Sequence, residues 1–377
     1  MRMRAAVLRE YGAPLEVTNV HVAEPAYAEV RVRVAASGIC GSDVRAMAGG
    51  SATVRSLPCI LGHEAAGVVD AVGPGVTAVA PGDHVIIAMN GPCGLCRNCG
   101  RGRPQLCTDP SRLAAIDGLT ADGGTRLRLA DGAGGPGPGG GAEVRPYIGI
   151  GAFAEYAVVR ERMCVPVARD LPLDLLALTA CGVVTGVGAV FNTARVEPGS
   201  SVLVVGCGGV GLSVIQGAAV AGATEIIAAD LLEAKLTLAK ELGATHTIVA
   251  DDLTRRVADL VPGGVDYAFD ATGSTAVPAR ALAATCPGGT AVMVGIPPLD
   301  RMIGIPPDLL SGHRRLMGTQ GGDAMPDRDL PRLVDLYRAG RLDLERMAGE
   351  RVTLDGLDDA VGRVRAGAAA RSLVLFA

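Results

Sequence analysis

"VLVVGCGGVGLSVIQGAAVAGA", residues 202–223, decides the fold. An apolar strand, Val202–Val205, runs straight into glycines at 206, 208 and 211, and a small-residue helix over about 209–221 runs out. Gly206 permits the tight turn, Gly208 lets backbone approach a pyrophosphate, and Gly211 lets helix and strand pack closely. With Gly209 and Val210 opening the helix, unpaired N–H groups and the helix dipole favour an anion at this turn. The next strand, "ATEIIAAD", ends on Asp230, 19 residues beyond Gly211. A carboxylate there accepts from both adenosine ribose hydroxyls and repels a 2′-phosphate, which selects NAD over NADP. A methyltransferase or flavodoxin-like sheet whose glycines serve only packing is the bland alternative.

Outward from this stretch, "GVDYAFDATG" and "GGTAVMVGIP" are further short apolar strands, spaced by helical segments such as "EAKLTLAKELGA". Alternation of β and α with strands buried on both faces predicts an α/β fold with a doubly wound parallel sheet from about 183 onward. Residues 1 to about 90 read differently. "EVRVRVAASGIC", "AAGVVDAVG" and "PGDHVIIA" are strands between Gly/Pro turns, which predicts an antiparallel or barrel-like part. The stretch 118–142, which contains "DGAGGPGPGGG", reads as a flexible surface loop. After about 320 come two helices, "DRDLPRLVDLYRAGRL" and "LDDAVGRVRAG", and a closing strand, "RSLVLFA".

The chain's 377 residues suggest about two domains. A net charge of −4 with scattered basic residues gives no footprint for nucleic acid or an anionic membrane. No apolar run approaches the roughly 20 residues of a membrane span, and the start has no apolar leader core, so a cytoplasmic protein is expected. In that compartment clustered thiols bind metal more often than they form disulfides.

"PCGLCRNCGRGRPQLC", residues 92–107, holds Cys93, Cys96, Cys99 and Cys107 with C-x2-C-x2-C-x7-C spacing. Four thiolates on one loop suit a closed tetrahedral structural zinc, with no place for substrate. A ferredoxin-type run has three residues, not seven, before a last cysteine followed by proline. A second set is dispersed: Cys40 in "SGICGSD", His63 in "LGHEAAG" and Cys181 in "TACGVVTG". Each alone could be a buried thiol or a structural histidine. Together, two thiolates and one imidazole make the Cys2His set of a catalytic zinc with an open fourth position. Cys59, Cys164, Cys207 and Cys286 read as small buried hydrophobes, and His21, His84, His246 and His313 as surface or structural.

These motifs, with "GAFAEYAVV", "VGIPP" and "RSLVLF", resemble the zinc-dependent medium-chain alcohol dehydrogenases over nearly the whole length, in particular the liver and class III branch. The resemblance implies a GroES-like β-rich catalytic domain, 1–182 and 320–377, interrupted by a Rossmann coenzyme domain, 183–319. It implies two zinc ions per chain, one held by Cys40, His63 and Cys181, the other by the four-thiol loop. The ion polarises an alcohol oxygen while hydride passes to NAD. Ser42 matches the hydroxyl that accepts the alcohol proton, Asp43 the carboxylate that orients His63, and Glu64 an acid beside the zinc. Thr185 matches a residue near the nicotinamide, Lys235 a partner of Asp230 at the ribose, and Arg371 a pyrophosphate-binding arginine. Met89, Tyr147 and Ile148 align with substrate-pocket positions, with core packing as the bland reading.

Two positions depart from the pattern. Gly41 stands where relatives often carry a basic residue against the pyrophosphate, and Arg45 where the liver branch has a proton-relaying histidine, a role arginine cannot take. The resemblance thus implies an enzyme interconverting primary or secondary alcohols with aldehydes or ketones, as a homodimer. Oxidation of formaldehyde as a thiol adduct is the runner-up, and a non-catalytic zinc- and NAD(H)-binding protein the third reading.

Overall fold

The computed structural model describes residues 1–49, 54, 56–89, 91–120, 123–130, 141–249, 252–367 and 371–376. Of the stretch 118–142, read above as a flexible surface loop, residues 121–122 and 131–140 lie outside them; Leu127–Leu129 corrects that reading, being a strand of the barrel with Leu127 and Leu129 buried. The chain forms two compact units: Met1–Cys181 with Met325–Val334 and Ala348–Ala377, and Gly182–Ala324 with Asp335–Met347.

The first unit is β-rich. A closed barrel is made by Arg2–Leu8, Glu16–Val22, Leu127–Leu129, Glu143–Pro146 and Cys59–Ile60. A seven-stranded sheet is organised around the long strand Glu29–Gly38, which pairs antiparallel with Glu64–Val72, Tyr156–Arg160 and Leu373–Leu375. Alternation puts Val30, Val32 and Val34 in the core, each fully buried. Arg31 departs from the alternation: it too is buried, because Asp70 (2.6 Å) and Glu24 (3.0 Å) pair with its guanidinium. At the end of the long strand, Gly38 stands opposite both Glu64 and Leu373. That register brings residues from three distant parts of the sequence to one place.

The second unit carries six parallel strands in the order His246–Val249, Glu225–Asp230, Ser201–Val205, Val265–Asp270, Thr285–Met293, Arg315–Gly318. Every residue of Ser201–Val205 is buried, as a central strand covered on both faces requires. From this strand the chain winds first to one side and then, at Val265–Asp270, to the other. That reversal opens a crevice at the strands' C-terminal ends, the place where open α/β sheets take ligands. The helix Gly209–Ala221 starts there. Among the described residues no single helix is long and apolar enough to cross a membrane.

Candidate active site and metal centres

Cys40 follows the central strand and caps the short helix Gly41–Met47. The third residue of that helix, Asp43, is fully buried, and its carboxylate gathers the site. One oxygen accepts the Cys40 N–H at 3.0 Å; the other accepts the Gly62 N–H and His63 Nδ1, each at 3.0 Å. An ionised carboxylate only accepts, so Nδ1 carries the proton and Nε2 is left for Cys40 and Cys181, both of which hydrogen-bond the ring. Gly62 is needed at this turn: its φ is +87°, and a Cβ would lie 2.6 Å from the Phe153 backbone.

One ligand atom from each of Cys40, His63, Glu64 and Cys181 lies within 4.8 Å of the others, and all four residues are buried. Gly38 makes room for Glu64, since a Cβ there would sit 2.4 Å from Oε2. The other Glu64 oxygen accepts from the Arg371 guanidinium at 2.8 Å, with both side chains nearly inaccessible. Burial pushes the Glu64 carboxyl up to about 7, and Arg371 pulls it back only in part. For His63, burial opposes the charged form, but Asp43 and the two thiols outweigh it and the net direction is up. The thiols divide: the hydrogen bond from Cys181 lowers Cys40, and the same contact with burial raises Cys181, as expected for two acids sharing one proton. A divalent cation resolves this conflict, because it turns both thiols into thiolates and satisfies Nε2. The donor set therefore fits zinc.

The four-thiol loop fits zinc on distance alone. Its sulfurs are separated by 3.5 Å (Cys96–Cys99 and Cys93–Cys107), 3.9 Å (Cys96–Cys107) and 4.0 Å (Cys93–Cys99). Four sulfurs tetrahedral at about 2.3 Å from an ion are about 3.8 Å apart. The backbone N–H groups of Leu95 (3.4 Å) and Cys96 (3.2 Å) point at Cys93 Sγ, the pattern of donors on a thiolate. N–H groups of Cys99 and Thr108 bring Cys96 down to about 5.

In the second unit the glycines divide as expected. Gly206 has φ +94°, and a Cβ on Gly211 would lie 1.8 Å from the Gly206 carbonyl oxygen. A Cβ on Gly208 would meet nothing within 4 Å, which leaves backbone open to a ligand at the helix start. Gly209 and Val210 form the first turn. The Asp230 carboxylate is held at the strand end by the Cys207 N–H (2.7 Å) and the Leu232 N–H (3.0 Å). Lys235 is half-buried on the helix Glu233–Glu241, and Thr185 half-buried on Gly182–Gly188.

Tyr147 is buried, with its ring edge-on to His63 at 5.5 Å between centroids. Ile148 beside it has φ +45° and packs against two cores; Met89 is half-buried just past the strand His84–Ile87. Ser42 is half-buried on the first turn after Cys40, and Gly41 is exposed. Arg371, expected at a pyrophosphate, lies buried against Glu64 and raised by it and the two thiols despite the burial that opposes its charge. Nothing in the sequence marked Gly38, although its place opposite the carboxylate follows from the strand register. Cys59, Cys164 and Cys207 are buried as expected, and burial pushes each thiol up to about 12. Cys286 is a correction: it is half-buried, with its Sγ 3.8 Å from an Asp266 carboxylate oxygen.

Known proteins arrange themselves in the same way. Residues 26–169 match the family described as Alcohol dehydrogenase GroES-like domain, and residues 209–339 the family described as Zinc-binding dehydrogenase. The chain is 38% identical to S-(hydroxymethyl)glutathione dehydrogenase of Paracoccus denitrificans, over the whole of both. It is 37% identical to geraniol dehydrogenase of Castellaniella defragrans, across 99% of this chain and 97% of that one. The crystal structure of benzyl alcohol dehydrogenase from Acinetobacter calcoaceticus superposes with a TM-score of 0.91 at 32% identity, with both chains fully covered. A Cys2His group beside a carboxylate, a four-thiol loop and a glycine turn on a parallel sheet thus occur here in a member of the zinc-dependent alcohol dehydrogenase family.

Proposed function

We propose that this zinc- and NAD-dependent dehydrogenase acts on primary or secondary alcohols with an apolar body, with Cys40, His63 and Cys181 holding the catalytic ion and the four-thiol loop a structural one. The observation that carries the assignment is the buried convergence of those three side chains, oriented by Asp43. Tyr147, set edge-on against His63, supports the preference for an apolar substrate. When bound, zinc polarises the alcohol oxygen and NAD takes up hydride. Asp43 fixes the tautomer of His63, Ser42 would take the alcohol proton while passing its own hydroxyl proton on to the cofactor ribose and water, and Glu64 pairs with Arg371. Gly206, Gly208, Gly209, Val210 and Gly211 cradle the dinucleotide phosphates. Asp230 and Lys235 hold the adenosine ribose, Thr185 packs at the nicotinamide, and Met89, Tyr147 and Ile148 line the substrate pocket.

A second reading, oxidation of a formaldehyde–thiol adduct, is favoured by the full-length likeness to S-(hydroxymethyl)glutathione dehydrogenase. A panel of aliphatic, allylic and benzylic alcohols with NAD separates the two. Turnover of the panel without added thiol supports the first reading. Turnover of formaldehyde only with a thiol present, and none of the panel, replaces it with the second.

The homodimer reading is supported by the strand Arg315–Gly318, last in the sheet order among the described residues, and by the exposed Ile296, Leu299, Met302, Leu310 and Met317. Sedimentation of the parent and of Met302→Asp measures it. Six cysteines assigned as zinc ligands, which need their thiols reduced, fit a reducing, cytoplasmic setting.

A further inference from the structure

The thiol loop has an unequal construction. Cys93, Cys96 and Cys99 fall within seven residues, and one tight loop fixes all three. Cys107 comes eight residues after Cys99, beyond the turn Pro104–Leu106, and nothing in the spacing sets where its sulfur goes. Asn98 Nδ2 donates to the Leu106 carbonyl oxygen at 2.6 Å and ties the segment from one side; the next helix, Pro110–Ile116, supplies a second constraint. Asp109 caps it by accepting the Arg112 N–H at 3.2 Å, and the Arg112 side chain runs back to the loop. That side chain belongs to a residue only 7% exposed. One guanidinium nitrogen donates to the Cys107 carbonyl oxygen at 2.9 Å and the other to the Gln105 carbonyl oxygen at 3.4 Å.

We infer that Arg112 is a positioning residue for the structural metal ion, clamping the carbonyls of Gln105 and Cys107 so that the fourth thiolate meets the other three. Two arguments support it. A planar fork can bridge two carbonyls at fixed separation, which a lysine cannot do. A dication held by four thiolates also carries a formal charge of −2, and a buried guanidinium beside it is thereby compensated. The inference rests on the reading of the four thiols as a zinc site.

The test follows zinc release from the holoenzyme to a chromogenic chelator, with total zinc counted per chain. Cobalt exchanged into the loop adds a spectrum sensitive to tetrathiolate geometry. In Arg112→Met, one of the two ions is expected to leave about 10- to 100-fold faster than in the parent. The cobalt bands should shift, turnover by the zinc-replete enzyme should be unchanged, and Arg112→Lys should recover part of the retention. Ile248→Ala, a core truncation in the other unit, controls for general loss of stability. Release from Arg112→Met no faster than from the parent or from Ile248→Ala, with parental cobalt bands, overturns the inference. If Arg112→Met does not accumulate as folded protein, Arg112→Lys decides alone: parental release and spectrum overturn the inference, and faster release with shifted bands supports it. Cys107→Ser keeps the two readings apart. Two ions retained in that variant overturn the zinc site itself, whereas one ion lost from it and none from Arg112→Met overturns only the clamp.

Discussion

Two cysteine-rich groups in one unit of this chain solve the same coordination problem with opposite electrostatics. Around Cys40 the interior is dry, with Asp43 and Glu64 fully buried and His63 at 1% exposure. In the assignment proposed above two thiolates match a dication and Glu64 pairs with Arg371, while the Asp43 carboxylate is met by the N–H groups of Cys40, Gly62 and His63. Around Cys93 the loop is half open, with Leu95 89% exposed, and four thiolates leave a formal excess of two negative charges. The N–H groups of Leu95 and Cys96, and the Arg112 guanidinium on the Cys107 carbonyl, offset that excess. The difference teaches that a buried zinc site must pair or hydrogen-bond each charge it carries, because an uncompensated charge in the interior costs several kcal/mol.

The sharpest way to break the comparison is to remove one ligand from each group. His63→Ala should lower turnover about a thousandfold or more, since several kcal/mol of charge stabilisation depend on the ion proposed to bind it. Cys96→Ala should instead leave the turnover per folded molecule near the parent's while zinc falls to one per chain. Steady-state rates normalised to folded protein check both. Equal effects of the two substitutions would erase the distinction.

A smaller effect comes from Asp43→Asn. The amide keeps the shape but loses the charge that fixes Cys40, Gly62 and His63, so zinc affinity at the buried group should fall about 10- to 100-fold with the loop ion untouched. Competition with a chelator measures it. Gly38→Ala sharpens the same point from the packing side. Its methyl must displace the Glu64 carboxylate, which should cost about 1–3 kcal/mol of stability and alter metal retention only at the buried group.

The smallest effect lies in the other unit. Asp270 is 1% exposed, and burial raises its carboxyl above 3.8 although the Thr272 N–H and hydroxyl pull it down. The folded chain then keeps a proton that the unfolded chain has lost, so stability falls as pH rises from 3.8 to the folded value. The loss is complete above that value. Asp270→Asn removes it, so its melting temperature relative to the parent should climb from acid towards neutral pH. A constant difference would show that the carboxylate is already satisfied.

How much of this was legible in the sequence differs between the regions for physical reasons. The glycine turn and the first three thiols are local: their spacing is their geometry, and Gly206, Gly211 and the C-x2-C-x2-C run could be read directly, whereas the fourth thiol, Cys107, had to be placed by the fold. The buried group is not local. Cys40 and Cys181 stand 141 residues apart, so the donor types suggested a set but no spacing placed them together. Arg371 could be named but not placed beside Glu64 without the pairing of Gly38 with Leu373. Arg31 broke the alternation because ion partners outweigh the period of a strand, and Cys286 sits near the surface because its strand is only partly covered.

The separation of 307 positions from Glu64 to Arg371 gives the molecule an order of assembly. On a growing chain the acid, the imidazole and the first thiol exist long before the cation that neutralises the carboxylate. Until the strand Leu373–Leu375 is laid beside Gly38, that pocket must stay wet. The interior of this unit is therefore sealed from its far end, and the oldest residues of the site are the last to leave water.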